Sequence, residues 1–588
     1  MASWLILAAA MAAQQVPEFH QGVHYTIEAT LNDASHVLRA RARIRYQNNS
    51  PQTLDTIWFH LHLNAFRPNS AWASRELQFN NRRFQDLGPQ DHAFERIRAL
   101  RVGGRVAKAV FPGTPDSTVM GVPLPAPLRS GMSVSLEIQW DARLSTLPRR
   151  QGRSGSHYDF AQWYPRVAVY DRGGWQVQPL LPQGEFYGEF ATYDVTLDLP
   201  RQHVAGATGV PVSGDPGWEA ANIDQSKPPV YRRDAYGAPP VESLGLLSRN
   251  RAAGRKRIRW RAEQVHHFAW TTNPDYVYEG GKIGNTAVHA LFLAGDTAWR
   301  GAAVERTVKA IEFFENLFGP YPWPQITNVH RVEGNGGTEF PMMIMDSDAG
   351  EGLIVHEIAH QWAHGILANN EWREGWLDEG MASFTGNLYA EALGRRLNYA
   401  GPTQGVARAD AAPDAKPIQT PAADFKDMQL YSIMTYTKPA MVFRMLRDLI
   451  GADAFGAGLK RYYQENRFEH VDEADLKAAM EAASNTDLDW FFQQWLHTNH
   501  TLDYAVANAV SKQLPGGRWQ TRVDVTRTGQ AWMPVRLKVG DVVTRLEARE
   551  PSFSVTVETA ARPAEALLDP DVVLIDPDRQ NNLKVISN

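Results

Sequence analysis

The chain has 588 residues, more than one hydrophobic core usually holds, so typical domain sizes predict about three or four structural units. Hydrophobic residues make up 43% of the sequence and charged residues 21%, as in an ordinary globular protein. The formal net charge of −5 argues against a nucleic-acid partner, and the absence of cysteine excludes disulfides and thiolate metal ligands.

The first predicted element is an apolar run from Trp4 to Ala13 that ends in small residues. This run is shorter than the roughly 20 residues of a membrane-spanning helix, and it predicts a signal peptide over residues 1–13. No Lys or Arg precedes the run, so a misplaced start codon or a disordered apolar tail remains an alternative. We therefore expect a periplasmic or secreted protein, with a cytoplasmic location as the alternative. No other stretch predicts a membrane span.

Residues 14–272 are predicted to form a β-rich N-terminal domain, organised as a large twisted sheet or a sandwich. Between Leu38 and Tyr46, apolar residues alternate with four arginines, which predicts a half-buried strand. The same period of two recurs in residues 134–140 and 193–199. An arginine stripe could bind an anion, but a solvated strand face is favoured because the net charge is negative.

The pattern changes near residue 273, where a catalytic domain covering residues 273–500 is predicted to begin. Val304, Val308, Ile311 and Leu317 recur at helical spacing, and the following Gly-Pro pair predicts the end of that helix. After residue 500 the period of two returns. Residues 501–588 therefore predict a small C-terminal β-sandwich.

The clearest chemical signature lies in the run from Val355 to Trp362. If this run is helical, as its apolar residues favour, His356 and His360 stand one turn apart on the same face. Two such imidazoles can bind one metal ion, and catalytic zinc sites use three protein ligands and keep a fourth position for water. Glu357 is offset from that face and can reach the water as a general base. The H-E-x-x-H pattern also occurs by chance, so a third ligand is needed.

Glu379 is the predicted third ligand. It follows His360 by nineteen positions (379 − 360), within the sequence W-L-D-E-G, which leaves room for the chain to turn and return. His364 continues the histidine face, but it lies about 6 Å further along the helix axis. One Zn²⁺ on His356, His360 and Glu379 is therefore predicted, although Mn²⁺ or Co²⁺ could use the same ligands.

The motifs H-E-I-A-H-Q-W and W-L-D-E-G resemble the zinc aminopeptidases typified by aminopeptidase N and leukotriene hydrolase, gluzincins with a downstream glutamate ligand. The resemblance covers most of the chain. It implies an α+β multidomain fold in which a thermolysin-like α/β zinc peptidase domain follows the β-rich domain and precedes the β-sandwich. It also implies hydrolysis of the first peptide bond of peptides with a free N-terminus.

The resemblance assigns substrate-binding roles to the segment that begins at Gly336. In the family, a G-x-M-E-N pattern on an edge strand pairs with the peptide backbone, and its glutamate binds the free amine. Here Gly336 and Gly337 would allow close backbone approach, and Glu339 would anchor the amine. The segment departs from the pattern, because Thr338 replaces the methionine and Phe340 the asparagine.

Two tyrosines and one glutamine complete the residues implied by the resemblance. Tyr436 matches the family tyrosine that donates a hydrogen bond to the oxyanion, although Pro439 stands where glycine is usual. Tyr431 is a second candidate donor. Gln162, in an aromatic-rich stretch similar to bacterial relatives, is a candidate contact for the first side chain of the substrate, although ordinary packing explains that stretch nearly as well.

The resemblance also implies a bacterial-type member without the C-terminal helical domain that caps the site in many relatives. We therefore expect a more open cleft, which a dimer or an inserted loop could still cover. An open-cleft zinc endopeptidase that needs no free amine is the main alternative function. A non-catalytic peptide-binding module is disfavoured because the sequence retains every predicted ligand, base and oxyanion residue.

Overall fold

The computed structural model describes residues 19–236, 243–245, 254–332 and 334–587. The predicted signal peptide at residues 1–13 lies outside these ranges, so it and the export that it implies stay predictions. Within the described ranges, no helix combines the length and the apolar character that crossing a membrane requires.

An eight-stranded sheet dominates the N-terminal part of the chain. As predicted, the apolar residues from Leu38 to Tyr46 are buried on one face of a strand. On the other face, Arg41 and Arg43 lie 3.2 and 3.5 Å from carboxylate oxygens of Glu137 on the neighbouring strand, so the arginine stripe is partly neutralised. In spatial order the strands are Val210–Ser213, Arg255–Val265, Ala191–Pro200, Gly22–Asn32, Val37–Gln47, Ser133–Arg143, Phe94–Val102 and Arg105–Val106.

Smaller sheets and short helices complete the N-terminal part. Aromatic stacking is frequent in the interior, where the rings of Phe160 and Trp270 are 4.1 Å apart. One hydrophobic cluster runs from here into the rest of the chain without a break. The elements are Leu54–His60, Val119–Leu128 and Arg166–Val167 in one sheet; Gly152–Ser154, His157–Phe160, Val204–Ala207 and Trp270–Asn273 in a second; the pair Tyr170–Asp171 and Gly174–Trp175; and helices His62–Ala65, Ala71–Gln78 and Trp218–Ala221.

A five-stranded mixed sheet opens the catalytic region. Its strands, in spatial order, are Tyr276–Ile283, Thr286–Leu293, Gln325–His330, Met343–Asp346 and Glu339–Phe340. The three middle strands run parallel, and the two-residue edge strand is antiparallel to its neighbour. This topology leaves the segment that carries Glu339 at the edge of the sheet, where a peptide can approach the backbone.

Helices pack around this sheet and carry most of the site. They are Ala302–Leu317, Glu351–His360, Glu371–Gly375, Met381–Ala392, Ala400–Asp410, Met428–Ser432, Lys438–Ile450, Ala452–Asn466, Glu473–Ser484 and Asp489–Leu496, with a short 3₁₀ turn at Ala422–Asp424. Three π-helical turns interrupt them, at Gln361–Ile366, Trp376–Gly380 and Ile433–Thr437. A two-stranded parallel pair, Leu367–Asn369 with Glu469–Val471, joins the first of these turns to the later helices.

The first catalytic-region helix, Ala302–Leu317, ends before the Gly-Pro pair as predicted; of its predicted apolar face Ile311 is fully buried, while the other three residues pack against the core only in part. Val304 and Val308 are only partly covered, whereas Ala303, Thr307, Ala310, Ile311 and Phe314 are buried. The small residues let the helix pack closely against its neighbours. A prediction based on hydrophobicity alone therefore identified a stripe of residues beside the most buried one.

The C-terminal part consists of two facing antiparallel sheets. One contains Asp503–Gln513, Trp519–Thr528 and Ser552–Thr559, and the other contains Val535–Val539, Val542–Leu546, Glu565–Leu568 and Leu583–Val585. The order of β-rich, mixed α/β and small β parts confirms the predicted α+β multidomain class. The exact domain boundaries stay predictions.

Candidate active site

The helix Glu351–His360 anchors the site because its two faces differ in chemistry. Ile354, Val355, Ile358 and Ala359 are buried in the core, which fixes the helix against the sheet. The opposite face carries His356 and His360, whose rings are 4.6 Å apart. Two histidine side chains are therefore presented together on a rigid element.

Glu379 completes a three-ligand group, as the sequence predicts. Its Oε2 lies 3.2 Å from His356 Nε2 and 3.3 Å from His360 Nε2, and the two nitrogens are 3.1 Å apart. A tetrahedral zinc ion with bonds of about 2.0–2.1 Å separates its ligand atoms by about 3.3–3.4 Å. The donor set of two imidazoles and one carboxylate therefore fits one Zn²⁺.

The groups around Glu379 favour the ionised form of its carboxyl group, which can bind a cation. Burial pushes the pKa of its carboxyl group up, but the charge of His360 and hydrogen bonds from both histidines hold that pKa well below its usual value. Glu379 lies in the π-helical turn Trp376–Gly380, which precedes the helix Met381–Ala392. Such turns are often found at functional sites because they redirect a side chain within a helix.

Carboxylates behind the ligand histidine support its orientation. Asp378 is fully buried and accepts a short hydrogen bond from His360 Nδ1, which leaves Nε2 free for the metal. His364 Nδ1 lies 2.8 Å from Glu371 Oε1, away from the three-ligand group. His364 therefore lies beside Glu371 and outside the group of His356, His360 and Glu379.

Glu357, the predicted general base, lies on the same helix but is not part of the ligand group. Its carboxyl group is buried, and Oε2 has no hydrogen-bond partner among the described residues. Burial raises the pKa of this carboxyl well above its usual value, which suits a group that must accept a proton near neutral pH. A Cβ added to Gly337 would lie 2.4 Å from the Glu357 carboxyl carbon, so this glycine leaves the room that the carboxylate occupies.

The predicted peptide-binding segment is an edge strand. Thr338 exchanges two backbone hydrogen bonds of 3.0 Å with Met345, and the Gly336 carbonyl accepts another from Ser347. In such a ladder the backbone groups of the alternate residues, Gly337 and Glu339, point away from the strand that contains Met345 and towards the open edge of the sheet. This orientation suits pairing with an extended peptide.

Glu339 belongs to a group of buried acids near the ligands. One of its carboxylate oxygens has no hydrogen-bond partner in the described part of the chain. Burial raises the pKa of Glu339, while the charges of Asp378 and Glu379 act in the same direction. A buried carboxylate without a partner is costly, so this position favours a cationic ligand.

Glu185 and Arg150 reach the same region, and the sequence reasoning missed both. Burial raises the pKa of Glu185 to about 7, opposed by Arg150, with Glu339 and Glu379 adding to the increase. Arg150 forms an ion pair with Glu185. The one available sequence signal was the repeated Gly-Glu-Phe in residues 184–190, which is unusual in an otherwise aromatic stretch.

Tyr436 is directed at the metal ligands, whereas Tyr431 is held elsewhere. The hydroxyl of Tyr436 donates a 2.5 Å hydrogen bond to Glu379 Oε1, and its ring stacks on His356. Burial raises the pKa of Tyr436 well above its usual value, so the phenol keeps its proton. Tyr431 is also buried, with its ring 6.3 Å from that of Tyr436; burial raises the pKa of its hydroxyl well above the usual value, and a backbone hydrogen bond from Gly184 acts in the opposite direction.

Gln162 lies behind the edge strand. Its Nε2 is 3.5 Å from His267 Nε2, and the His267 ring packs 5.5 Å from that of Phe340 on the strand. Gln162 is buried with a positive φ of 57°, a conformation that a glutamine rarely adopts. The structure separates it from the strand by one side chain, and its substrate role stays a prediction.

A cavity of about 480 Å³ opens beside the ligand group. Its lining residues include His356, Val355, Tyr436, Tyr399, Pro402 and Met441. Its volume is sufficient for an amino-acid side chain and part of a peptide backbone. The cavity therefore reaches His356 and Tyr436, whereas Glu339 is not among the residues that line it.

Comparison with known proteins identifies the region that carries this site. Residues 302–495 match the model of the peptidase family M1 domain. This stretch of the chain is an M1 peptidase domain. The M1 domain contains His356, Glu357, His360, Glu379 and Tyr436, while Glu339 also falls inside the matched residues.

The curated relatives that this chain matches are distant in sequence. Tricorn protease-interacting factor F2 of Thermoplasma volcanium is 26% identical over 212 residues, which are 32% of this chain and 27% of that protein. Human endoplasmic reticulum aminopeptidase 1 is 25% identical over 224 residues, which are 34% and 24% of the two chains. The chain thus spans about a quarter of the length of these relatives.

Solved structures share the fold over a longer range. The M1 zinc metallopeptidase from Deinococcus radiodurans matches with a TM-score of 0.55 and 17% identity, over 82% of this chain and 95% of that one. The agreement extends beyond the M1 domain into the β-rich parts. The match of residues 302–495 to the M1 peptidase domain implies a zinc site, and the three-ligand group fits zinc.

Replacing Asp378 with asparagine is expected to weaken zinc binding by about 10- to 100-fold, because the charged partner of His360 Nδ1 is lost. Competition with a chromophoric chelator measures the dissociation constant. Asp453→Asn, at an exposed position on another helix, is the matched control. An unchanged zinc affinity in Asp378→Asn would show that this carboxylate does not support the ligand.

Replacing Gly337 with alanine is expected to lower kcat/KM about 10- to 100-fold, because the added methyl group must displace the Glu357 carboxylate. Peptide hydrolysis and bound zinc are measured on the same sample. In Gly352→Ala, on the ligand helix, a Cβ would meet nothing within 4 Å, so this control should retain activity. Equal activity of the two variants would contradict the proposed crowding at Glu357.

Proposed function

We propose that this M1 peptidase is a zinc aminopeptidase that hydrolyses the first peptide bond of peptides with a free N-terminus. The observation that carries the proposal is the buried Glu339 carboxylate beside the His356, His360 and Glu379 group, with one oxygen unpaired. A substrate ammonium group would supply the missing partner of this carboxylate. Glu185 adds a second acid to the same region.

His356, His360 and Glu379 would hold the zinc ion. When bound, zinc polarises the scissile carbonyl group and lowers the pKa of water towards about 7. Asp378 keeps the His360 ring in the tautomer that has Nε2 unprotonated. The burial of Glu379 and Asp378 limits the water that competes for these contacts.

Glu357 moves the proton in the proposed reaction. Its unpaired Oε2 accepts a proton from the attacking water and passes it to the nitrogen of the departing amine. Burial raises the pKa of this carboxyl, which makes it a stronger proton acceptor than an exposed glutamate. Tyr436 donates its hydroxyl proton in a hydrogen bond to the carbonyl oxygen as negative charge develops there.

The edge strand and the acids position the substrate. Backbone groups of Gly337 and Glu339 would pair with the extended peptide, so the scissile bond lies at a fixed distance from the amine. The mutant Deinococcus radiodurans M1 zinc metallopeptidase has been solved with a Tyr-Ser-Ala substrate. A short peptide with a free amine is therefore a reasonable substrate class for this chain.

Arg150 favours one alternative, an open-cleft zinc endopeptidase. Its guanidinium group is paired with Glu185 and partly neutralises the acidic region. A less acidic pocket binds an ammonium group less tightly and tolerates a peptide that continues on both sides. The free amine is thus the feature that separates the two functions.

Peptides with free and acetylated N-termini test the proposal. Acetylation is expected to lower kcat/KM by at least about 100-fold, and Glu339→Gln to lower kcat/KM on the free peptide about 10- to 100-fold, because a charge-assisted hydrogen bond is lost. Glu312→Gln, at an exposed position, is the matched control. Cleavage of the acetylated peptide at an internal bond, with equal rates on both substrates, would favour the endopeptidase.

A further inference from the structure

A second group of metal-binding side chains lies where the first described residues meet the M1 domain. His20, Glu189 and His470 each offer one ligand atom, and these atoms are all within 4.8 Å of one another. His20 Nδ1 is 3.5 Å and His470 Nε2 is 3.9 Å from the same Glu189 oxygen, Oε1. We propose that these three residues bind a structural zinc ion, distinct from the catalytic one.

Glu189 is the strongest sign that this group has a missing partner. Its side chain is 2% exposed, and neither carboxylate oxygen has a hydrogen-bond partner among the described residues. A buried carboxylate that accepts no hydrogen bond is strongly unfavourable unless a cation balances it. The carboxylate faces two imidazoles, so the balancing cation can be a metal that both rings also bind.

The surroundings orient His20 as a metal ligand. Its Nε2 makes a short contact with Glu469 Oε2, which leaves Nδ1 directed at Glu189. Metal-binding histidines usually donate the second ring N–H to a carboxylate in this way. The same arrangement holds at the catalytic site, where Asp378 supports His360.

The donor set and the dimensions favour zinc. Two imidazole nitrogens with a carboxylate suit Zn²⁺ and not Ca²⁺ or Mg²⁺, which prefer oxygen ligands. A tetrahedral ion holds its ligand atoms about 3.3–3.4 Å apart, so the two distances to Glu189 Oε1, 3.5 and 3.9 Å, must shorten slightly and the imidazole nitrogens, within 4.8 Å of each other, must close by up to about 1.5 Å. The Gly188 carbonyl, 3.1 Å from His470 Nε2, is a further oxygen close to the site. When the metal replaces the proton on Nε2, this carbonyl oxygen is left free.

A path for the ion is present. The His20 side chain is 27% exposed, and both histidines line a cavity of about 600 Å³. This feature distinguishes the group from His364, Glu371 and Asp378, which also lie together but are completely buried behind the catalytic ligands. Metal exchange with solvent is therefore feasible at the second group.

The ion would fasten three separate parts of the chain. His20 precedes the first strand, Glu189 lies in the N-terminal part, and His470 lies in the strand Glu469–Val471. That strand pairs with Leu367–Asn369, which directly follows the π-helical turn after the ligand helix. Occupancy is therefore expected to stabilise the junction of the N-terminal part with the M1 domain.

Zinc counting on the full chain tests the proposal. After equilibration with Zn²⁺ and removal of excess metal, mass spectrometry of the metal content is expected to give two ions for the wild type and one for His20→Asn. His360→Ala should also retain one. His497→Asn, which changes another histidine of the same cavity, should retain two. One ion in both wild type and His20→Asn, with none in His360→Ala, would overturn the proposal.

A melting-temperature measurement tests zinc binding in a second way, for the case that a variant folds too poorly for its metal content to be counted. Zn²⁺ is expected to raise the melting temperature of metal-free His360→Ala by a few degrees, and the same protein carrying His20→Asn or Glu189→Gln should show no rise. No rise in His360→Ala itself would contradict a second site. Peptide hydrolysis by the wild type is measured in parallel, so an inactive wild type with two bound ions argues against the proposed peptidase activity and not against this site.

Discussion

Glu357→Gln is expected to lower kcat by about 10²- to 10⁴-fold while the protein keeps its catalytic zinc, because the amide cannot accept the proton of the attacking water. Glutamine has nearly the same shape, and Glu357 does not belong to the three-ligand group. Hydrolysis of amino-acid amide fluorophores measures kcat, and metal analysis of the same sample measures zinc. A chelator control shows that the remaining activity depends on metal.

A second measurement separates the chemistry of Glu357 from its packing. The Glu357→Asp variant keeps a carboxylate but moves it back by one methylene group, so it should regain part of the activity lost in Glu357→Gln. Rates in Glu357→Gln close to those of the wild type would exclude this residue as the base. If Glu357→Gln lost zinc together with activity, the role of Glu357 would be to support the helix that carries His356 and His360.

The proximity of His356, His360 and Glu379, the candidate metal ligands, could be predicted because it depends on local geometry. The helical period alone places His356 and His360 on one face, and the downstream Glu379 needs only a turn and a second helix to return. The structure places their three ligand atoms 3.1–3.3 Å apart. The general fold class could also be predicted from the sequence, because the spacing of apolar residues changes from a period of two to helical spacing and back along the chain.

Other features depend on contacts that sequence spacing does not encode. Glu185 and Arg150 arrive from loops of the N-terminal part, more than 150 residues before the ligand helix, so only the folded chain brings them to Glu339. The most buried stripe of the helix Ala302–Leu317 lies beside the predicted one, because its small residues pack more closely than the larger valines. Gln162 was suggested by family resemblance, and the fold puts His267 between it and the edge strand.

Tyr436→Phe is expected to lower kcat by about 10²- to 10³-fold with little change in zinc affinity, because it removes one hydrogen-bond donor to the oxyanion. The Tyr436 hydroxyl is 2.5 Å from Glu379 Oε1, so it already lies beside the position where the carbonyl oxygen would develop charge. Its pKa, raised by burial, keeps the donor protonated across the neutral range. Steady-state rates and chelator competition measure the two effects.

Tyr431→Phe is the matched control, since it removes an equivalent hydroxyl from a buried ring 6.3 Å from that of Tyr436. Tyr436 donates a hydrogen bond to Glu379, and no such bond is made by Tyr431 among the described residues, so loss of the Tyr431 hydroxyl should change kcat much less than loss of the Tyr436 hydroxyl. Equal losses in the two variants would mean that both tyrosines contact the oxyanion or that neither does. A large loss confined to Tyr431→Phe would transfer the role to that residue, and the substitution of proline for the family glycine at Pro439 would then explain the shift.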